Sequence, residues 1–178
     1  MSEPEGSRRV DRIREPGYLT GLAELPIDEL REKRDECMAE REYLSLLRRL
    51  VQGRSEILKA ELESRGSGED ASPIIERLAT ILSADERGRG PSRGEALRVG
   101  VPEEEMLLAR RRVERLVADA GLSDPTALDD DALAKAVGLM SAEERDLSGT
   151  RAEVMRALDA VQDELKRRYK DDPSLVLR

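Results

Sequence analysis

Two sets of polar side chains recur along this chain at spacings that put each set on one face of a helix. The first is Arg41, Ser45, Arg48, Gln52 and Glu56, and the second is Glu144, Ser148, Arg151, Met155 and Asp159. At 100° per residue the first set falls within a sector of about 80° and makes a stripe about four turns long. Arginine presents a planar fork that donates to guanine O6 and N7 or clamps a phosphate, while a carboxylate accepts from guanine N1–H and the exocyclic amine. Ser and Gln add donors and acceptors at short range. Such a stripe suits a guanine nucleotide. Two similar stripes suit a two-fold ligand such as cyclic di-GMP, with its phosphates depending on Arg48 and Arg151. The same residues also fit a solvated face held by i,i+3 and i,i+4 pairs, and Ser141 with Glu144 fits a capping box.

The two sets are related by an internal repeat. An offset of 103 residues places Leu44, Ser45, Arg48 and Val51 on Leu147, Ser148, Arg151 and Val154, and Glu61, Leu62 and Arg65 on Glu164, Leu165 and Arg168. Two heptad helices rich in Leu, Glu and Arg align wherever their seams coincide, so part of this carries little information. The seam does not account for Ser-x-x-Arg in both copies, followed eight residues after the Arg by an acid, Glu56 or Asp159.

Long helices are needed to carry these stripes. Residues 1–25 are polar and interrupted by Pro4, Gly6, Pro16, Gly17 and Gly21, which predicts a flexible N-terminal tail. A first long helix is predicted over 26–65, opening at Pro26 with Asp28 and Glu29 in its first turn and stopping at Gly66. Within it Leu30, Cys37, Leu44, Val51 and Leu58 recur every seven residues, and Tyr43, Leu47, Leu50, Ile57 and Leu62 widen the seam. That repeat calls for a partner helix. Shorter helices are predicted over about 73–83, behind a Ser72 cap, and about 102–120, with Met106, Leu107, Val113, Leu116 and Val117 facing inward. A basic loop lies between them at 85–94. Helix then resumes over about 130–170, continuing through or restarting at Ser141, and 171–178 form a C-terminal tail. The fold class is all-α: a single helical domain over 26–170, two long outer helices with shorter ones between.

Composition narrows the function. There are 31 Lys and Arg against 39 Asp and Glu, a net charge of −8, which opposes non-specific attraction to nucleic acid or anionic lipid. Arg87, Arg89, Arg93 and Arg98 make a local basic run without interleaved aromatics, which reads as a solvated linker and not as a DNA-binding surface. The chain has 3 Tyr, no Phe, no Trp and no His. The commonest general base and the usual zinc ligand are therefore missing, and no nucleophile has an evident base, so neither an enzyme nor a metal site is expected. Cys37 stands alone, which fits a reducing compartment, and no stretch approaches the ~18 apolar residues of a membrane span. A cytoplasmic protein is expected.

The stripe resembles the E-x3-S-x2-R-x3-Q-x3-D signature of the RsiG family, actinobacterial anti-sigma factors that respond to cyclic di-GMP. Residues 44–62, LSLLRRLVQGRSEILKAEL, are the nearest stretch, and residues 147–169, LSGTRAEVMRALDAVQDELKRRY, resemble a second copy. The resemblance implies an antiparallel coiled coil whose two motifs bind cyclic di-GMP and thereby tighten a complex with a flagellar-type sporulation sigma factor, WhiG. Position by position, the first copy keeps Ser45, Arg48 and Gln52, with Arg41 in place of Glu and Glu56 in place of Asp. The second keeps Glu144, Ser148, Arg151 and Asp159, with Met155 in place of Gln. Arg41 reverses a charge, and Met155 removes both hydrogen-bonding functions of the amide. The competing expectation is a non-catalytic coiled-coil adaptor without a nucleotide ligand.

Overall fold

A computed structural model of the chain describes residues 9–67, 101–119 and 125–177. Regular structure among the described residues is helical throughout: α1 (Arg9–Ile13), α2 (Ile27–Ser67), α3 (Glu103–Asp119) and α4 (Asp130–Asp171), with 3-10 turns at Pro125–Ala127 and Pro173–Leu177. The short helix expected over 73–83, its Ser72 cap and the basic loop at 85–94 lie outside the described residues.

Local chemistry sets the helix ends. Leu30 N–H donates to the Pro26 carbonyl at 3.2 Å, so the proline closes the first turn of α2 with its carbonyl and needs no donor of its own. Asp129 caps α4: its Oδ1 accepts from Ala132 N–H at 2.7 Å, and its carbonyl accepts from Leu133 N–H at 2.9 Å. Of the two alternatives at Ser141, continuation and restart, the helix takes the first and runs through. Leu133, Met140, Leu147, Val154 and Val161 recur every seven residues and are all buried, so the apolar register offers no reason to break there. Pro173 lies just beyond the last turn.

The chain divides into two compact units, one of Met1–Leu46 with Asp146–Arg178 and the other of Leu47–Arg145. In the first, Leu30, Val161 and Leu165 form a buried cluster, with Leu22, Leu25, Ile27 and Tyr169 packed against it. Burying a side chain such as Leu30 stabilises by roughly 1.5–3 kcal/mol. The N-terminal segment joins this unit. Residues 9–25 are not the flexible tail that their Pro and Gly content suggests, because Ile13 and Tyr18 are buried. Gly21 adopts φ +68°, a left-handed conformation that lets the chain turn back toward α2. Arg168 Nη2 then holds the turn, donating to the carbonyls of Leu22 and Ala23 at 2.9 Å each. The C-terminal residues are also engaged: Arg31 donates to the Leu175 carbonyl and, at 3.2 Å, to the Tyr169 hydroxyl.

In the second unit, α2 supplies Leu47, Val51 and Leu58, α3 supplies Ala109, Val113 and Val117, and α4 supplies Leu133, Ala136 and Met140. The inward face of α3 thus follows 109, 113 and 117. Leu107, expected inside, points away and is 46% exposed, and Met106, in the first turn, is 37% exposed. Leu108 is 52% exposed as well, so the whole apolar run at 106–108 lies off the buried face, which begins at Ala109.

Candidate functional site

In the first unit, Arg151 Nε donates to Ser45 Oγ at 2.9 Å, and Ser45 Oγ donates back to the Arg41 carbonyl at 2.7 Å. Arg41 turns its guanidinium to its neighbour Glu42, with contacts of 3.2 and 2.7 Å to Oε1. In the second unit, one carboxylate gathers two donors. Glu144 Oε1 accepts from Arg48 Nη1 and from Gln52 Nε2, each at 3.2 Å. All of these side chains are half-buried, so they are braced by protein and still reached by solvent.

Five of the sequence-expected residues are therefore brought into two clusters, Ser45 with Arg151 and Arg48 with Gln52 and Glu144. Arg41 adds its carbonyl to the first cluster. Glu56 accepts from Lys59 Nζ at 2.9 Å, an ordinary i,i+3 pair on its own helix. Ser148 and Met155 are half-buried on α4, and Asp159 is exposed.

The repeat explains why the two clusters differ. Under the offset of 103 residues, Arg48 corresponds to Arg151 and Glu144 to Arg41. The counterpart of the Arg48–Glu144 ion pair would therefore join two arginines, which repel. Arg151 bonds Ser45 instead, and Arg41 bonds Glu42. The substitution at position 41 thus makes the two halves of the motif electrostatically unequal.

A further part of the repeat has a structural use that its spacing alone did not reveal. Arg65 donates from Nε to Glu61 at 2.9 Å and reaches the Thr126 carbonyl at 3.1 Å, just before α4. Arg168 donates from Nε to Glu164 at 2.9 Å and reaches the Leu22 and Ala23 carbonyls, just before α2. Each Glu-x3-Arg pair steers a guanidinium onto the loop that leads into the opposite long helix. Glu at i−4 of Arg in both copies was the available signal. The two guanidinium bonds, Arg167's first and then Arg168's, hold the Glu164 carboxyl at about 2, well below the usual carboxylate range.

Chemically, the Arg48–Gln52–Glu144 cluster offers a guanidinium fork, an amide and a carboxylate within one reach, the complement of a guanine edge. An ion pair this exposed, with side chains 38% and 26% accessible, is worth at most about 1 kcal/mol and opens easily for a ligand. Among the described residues, no group of His, Cys, Asp and Glu is placed to hold a metal ion, and no helix is long and apolar enough to cross a membrane.

No curated protein matches the chain. A protein-family model does: it covers residues 16–82, which contain the whole first motif copy from Arg41 to Glu56 and end before the second. That model is RsiG-like, and residues 16–82 of the chain are similar to it.

Proposed function

We propose that this protein is an anti-sigma factor that holds a WhiG-like, flagellar or sporulation-type sigma factor in a complex tightened by cyclic di-GMP. The similarity of residues 16–82 to the RsiG-like family points to the anti-sigma role and hence to a sigma factor as partner. The observation that carries the nucleotide is the convergence of Arg48, Gln52 and Glu144, since Arg48 and Gln52 lie inside the family match. An antiparallel coiled coil is the arrangement these contacts support. In the first unit Arg31 meets Tyr169 and Ser45 meets Arg151, and in the second Arg48 meets Glu144 and Arg65 meets Asp130. In each, the partner number falls as the α2 number rises. The role is regulatory and requires no reaction step.

One observation favours the adaptor reading instead: Arg48 and Arg151 each have a partner within the protein, Glu144 and Ser45. Calorimetric titration of cyclic di-GMP into the protein with its sigma factor separates the two. The proposed function expects binding that Arg48→Ala and Arg151→Ala each weaken. Titrations in which the parent takes up no nucleotide leave the adaptor.

A further inference from the structure

Helix α3 buries one side and leaves the other to solvent. Ala109, Val113 and Val117 face inward, whereas Glu104, Leu107, Leu108 and Arg111 are all exposed. At 100° per residue these four share a sector of about 100° on the outward side of the helix. Leu107 is 46% exposed and Leu108 52%, so two adjacent leucines keep about half of their surface in water. Such a patch gains from a partner that removes it from water.

The order of charges on this face identifies the partner. Glu104 precedes the midpoint of the leucine pair by about 5 Å along the axis, and Arg111 follows it by the same distance. Turned end for end, Glu-x2-Leu-Leu-x2-Arg keeps its leucines in place and exchanges its two charges. Two copies of the face laid antiparallel, about a two-fold axis between Leu107 and Leu108, therefore match themselves. Leu107 meets the partner's Leu108, and Glu104 meets the partner's Arg111, each contact occurring twice. A parallel pairing would instead set Glu104 against Glu104 and Arg111 against Arg111, which repel. Among the described residues, Glu104 and Arg111 take part in no ion pair, so neither has one to break on pairing.

We infer that the outward face of α3 is a self-association surface, on which a second copy of this chain docks antiparallel through Glu104, Leu107, Leu108 and Arg111. In this register the helices overlap for about 15 Å of their length over a width of about 10 Å. That contact is well below the ~1,000 Å² of stable specific complexes, so the dimer is weak and forms reversibly with concentration. The net charge of −8 opposes it at low salt, and at ~0.15 M salt the short-range contacts decide. The inference needs neither nucleotide nor sigma factor, and α3 lies outside residues 16–82 that the family model matches.

The test is sedimentation equilibrium of the full-length chain from about 10 μM to about 1 mM in ~0.15 M salt. The parent is compared with Glu104→Arg, Arg111→Glu and Leu107→Ser/Leu108→Ser, each checked for helix content. The average mass of the parent should rise with concentration toward two chains. Each charge variant sets like charges opposite one another and should dimerise at least about fivefold less tightly, while Leu107→Ser/Leu108→Ser stays monomeric. An equimolar mixture of Glu104→Arg with Arg111→Glu places every Arg opposite a Glu again and should associate as tightly as the parent. A folding defect in either variant could not produce that recovery. A parent that stays monomeric throughout overturns the inference and leaves the face to another protein or to a segment of the same chain. Charge variants that dimerise like the parent, or a mixture no tighter than its two components, overturn it equally.

Discussion

Glu164 illustrates how a single pair of arginines sets a pH limit. Its carboxyl lies at about 2 in the folded chain, against about 4.3 in an unfolded one, because Arg167 and Arg168 both donate to it. A depressed carboxyl contributes stability that is fully present above its unfolded value and is lost as the pH falls toward its folded value. Denaturation curves between pH 4.5 and pH 2.5 should therefore show the parent losing stability more steeply than Glu164→Gln, and parallel losses would refute the assignment. Cys37 shows the opposite direction. Burial pushes its thiol up, and the Tyr18 hydroxyl lies 3.5 Å from Sγ, itself pushed up by burial. A thiol with few thiolate molecules and no exposure reacts slowly. Ellman's reagent should modify Cys37 at least about tenfold faster in denaturant than in buffer, and equal rates would mean that the N-terminal segment does not cover it.

At the scale of the elements, the repeated Glu-x3-Arg pairs act as clamps on the entries of the long helices. Arg168→Ala removes charged hydrogen bonds from the Leu22 and Ala23 carbonyls and should cost about 1.5–3 kcal/mol, with Arg65→Ala comparable through Thr126. Urea unfolding measures both, and a loss below about 0.5 kcal/mol would show that solvent satisfies these carbonyls equally well. Gly138 predicts the reverse sign. It sits inside α4, and a Cβ built there meets nothing within 4 Å, so Gly138→Ala should add about 0.5–1 kcal/mol in the same assay. The long helices were legible because a seven-residue repeat is a local signal: Leu30, Cys37, Leu44, Val51 and Leu58 are all buried as their spacing demands. Tertiary pairings were not. Nothing within residues 1–25 says that Ile13 and Tyr18 will be buried, and no local rule says that the whole apolar run at 106–108 will stay exposed. The stripes were legible as faces, but whether Arg48 would meet Glu144 or Arg151 would meet Ser45 depends on the stagger of two helices about a hundred residues apart, which no periodicity specifies.

For the whole molecule, the decisive quantity is coupling between ligands. A chain with a net charge of −8 repels an anionic nucleotide at long range, so the nucleotide binding proposed above would rest on short-range contacts such as those of Arg48. If the nucleotide binds the sigma-loaded state better, then sigma raises nucleotide affinity by the same factor by which the nucleotide raises sigma affinity. Couplings of this kind are typically about 1–3 kcal/mol, or about 5–150-fold. The expected result is a sigma affinity about 5-fold or more higher at saturating cyclic di-GMP, with a matching gain when the titration is run the other way. Arg48→Ala should bring that factor close to one while leaving sigma affinity without nucleotide unchanged, because Arg48 pairs with Glu144 within the protein. A variant that loses nucleotide-free sigma affinity as well would move Arg48 from the ligand site to the protein interface. Raising salt separates the contributions further: the anionic ligand's share of the coupling should weaken, while the buried Leu and Val seam, which carries no charge, should hold the helices together as before.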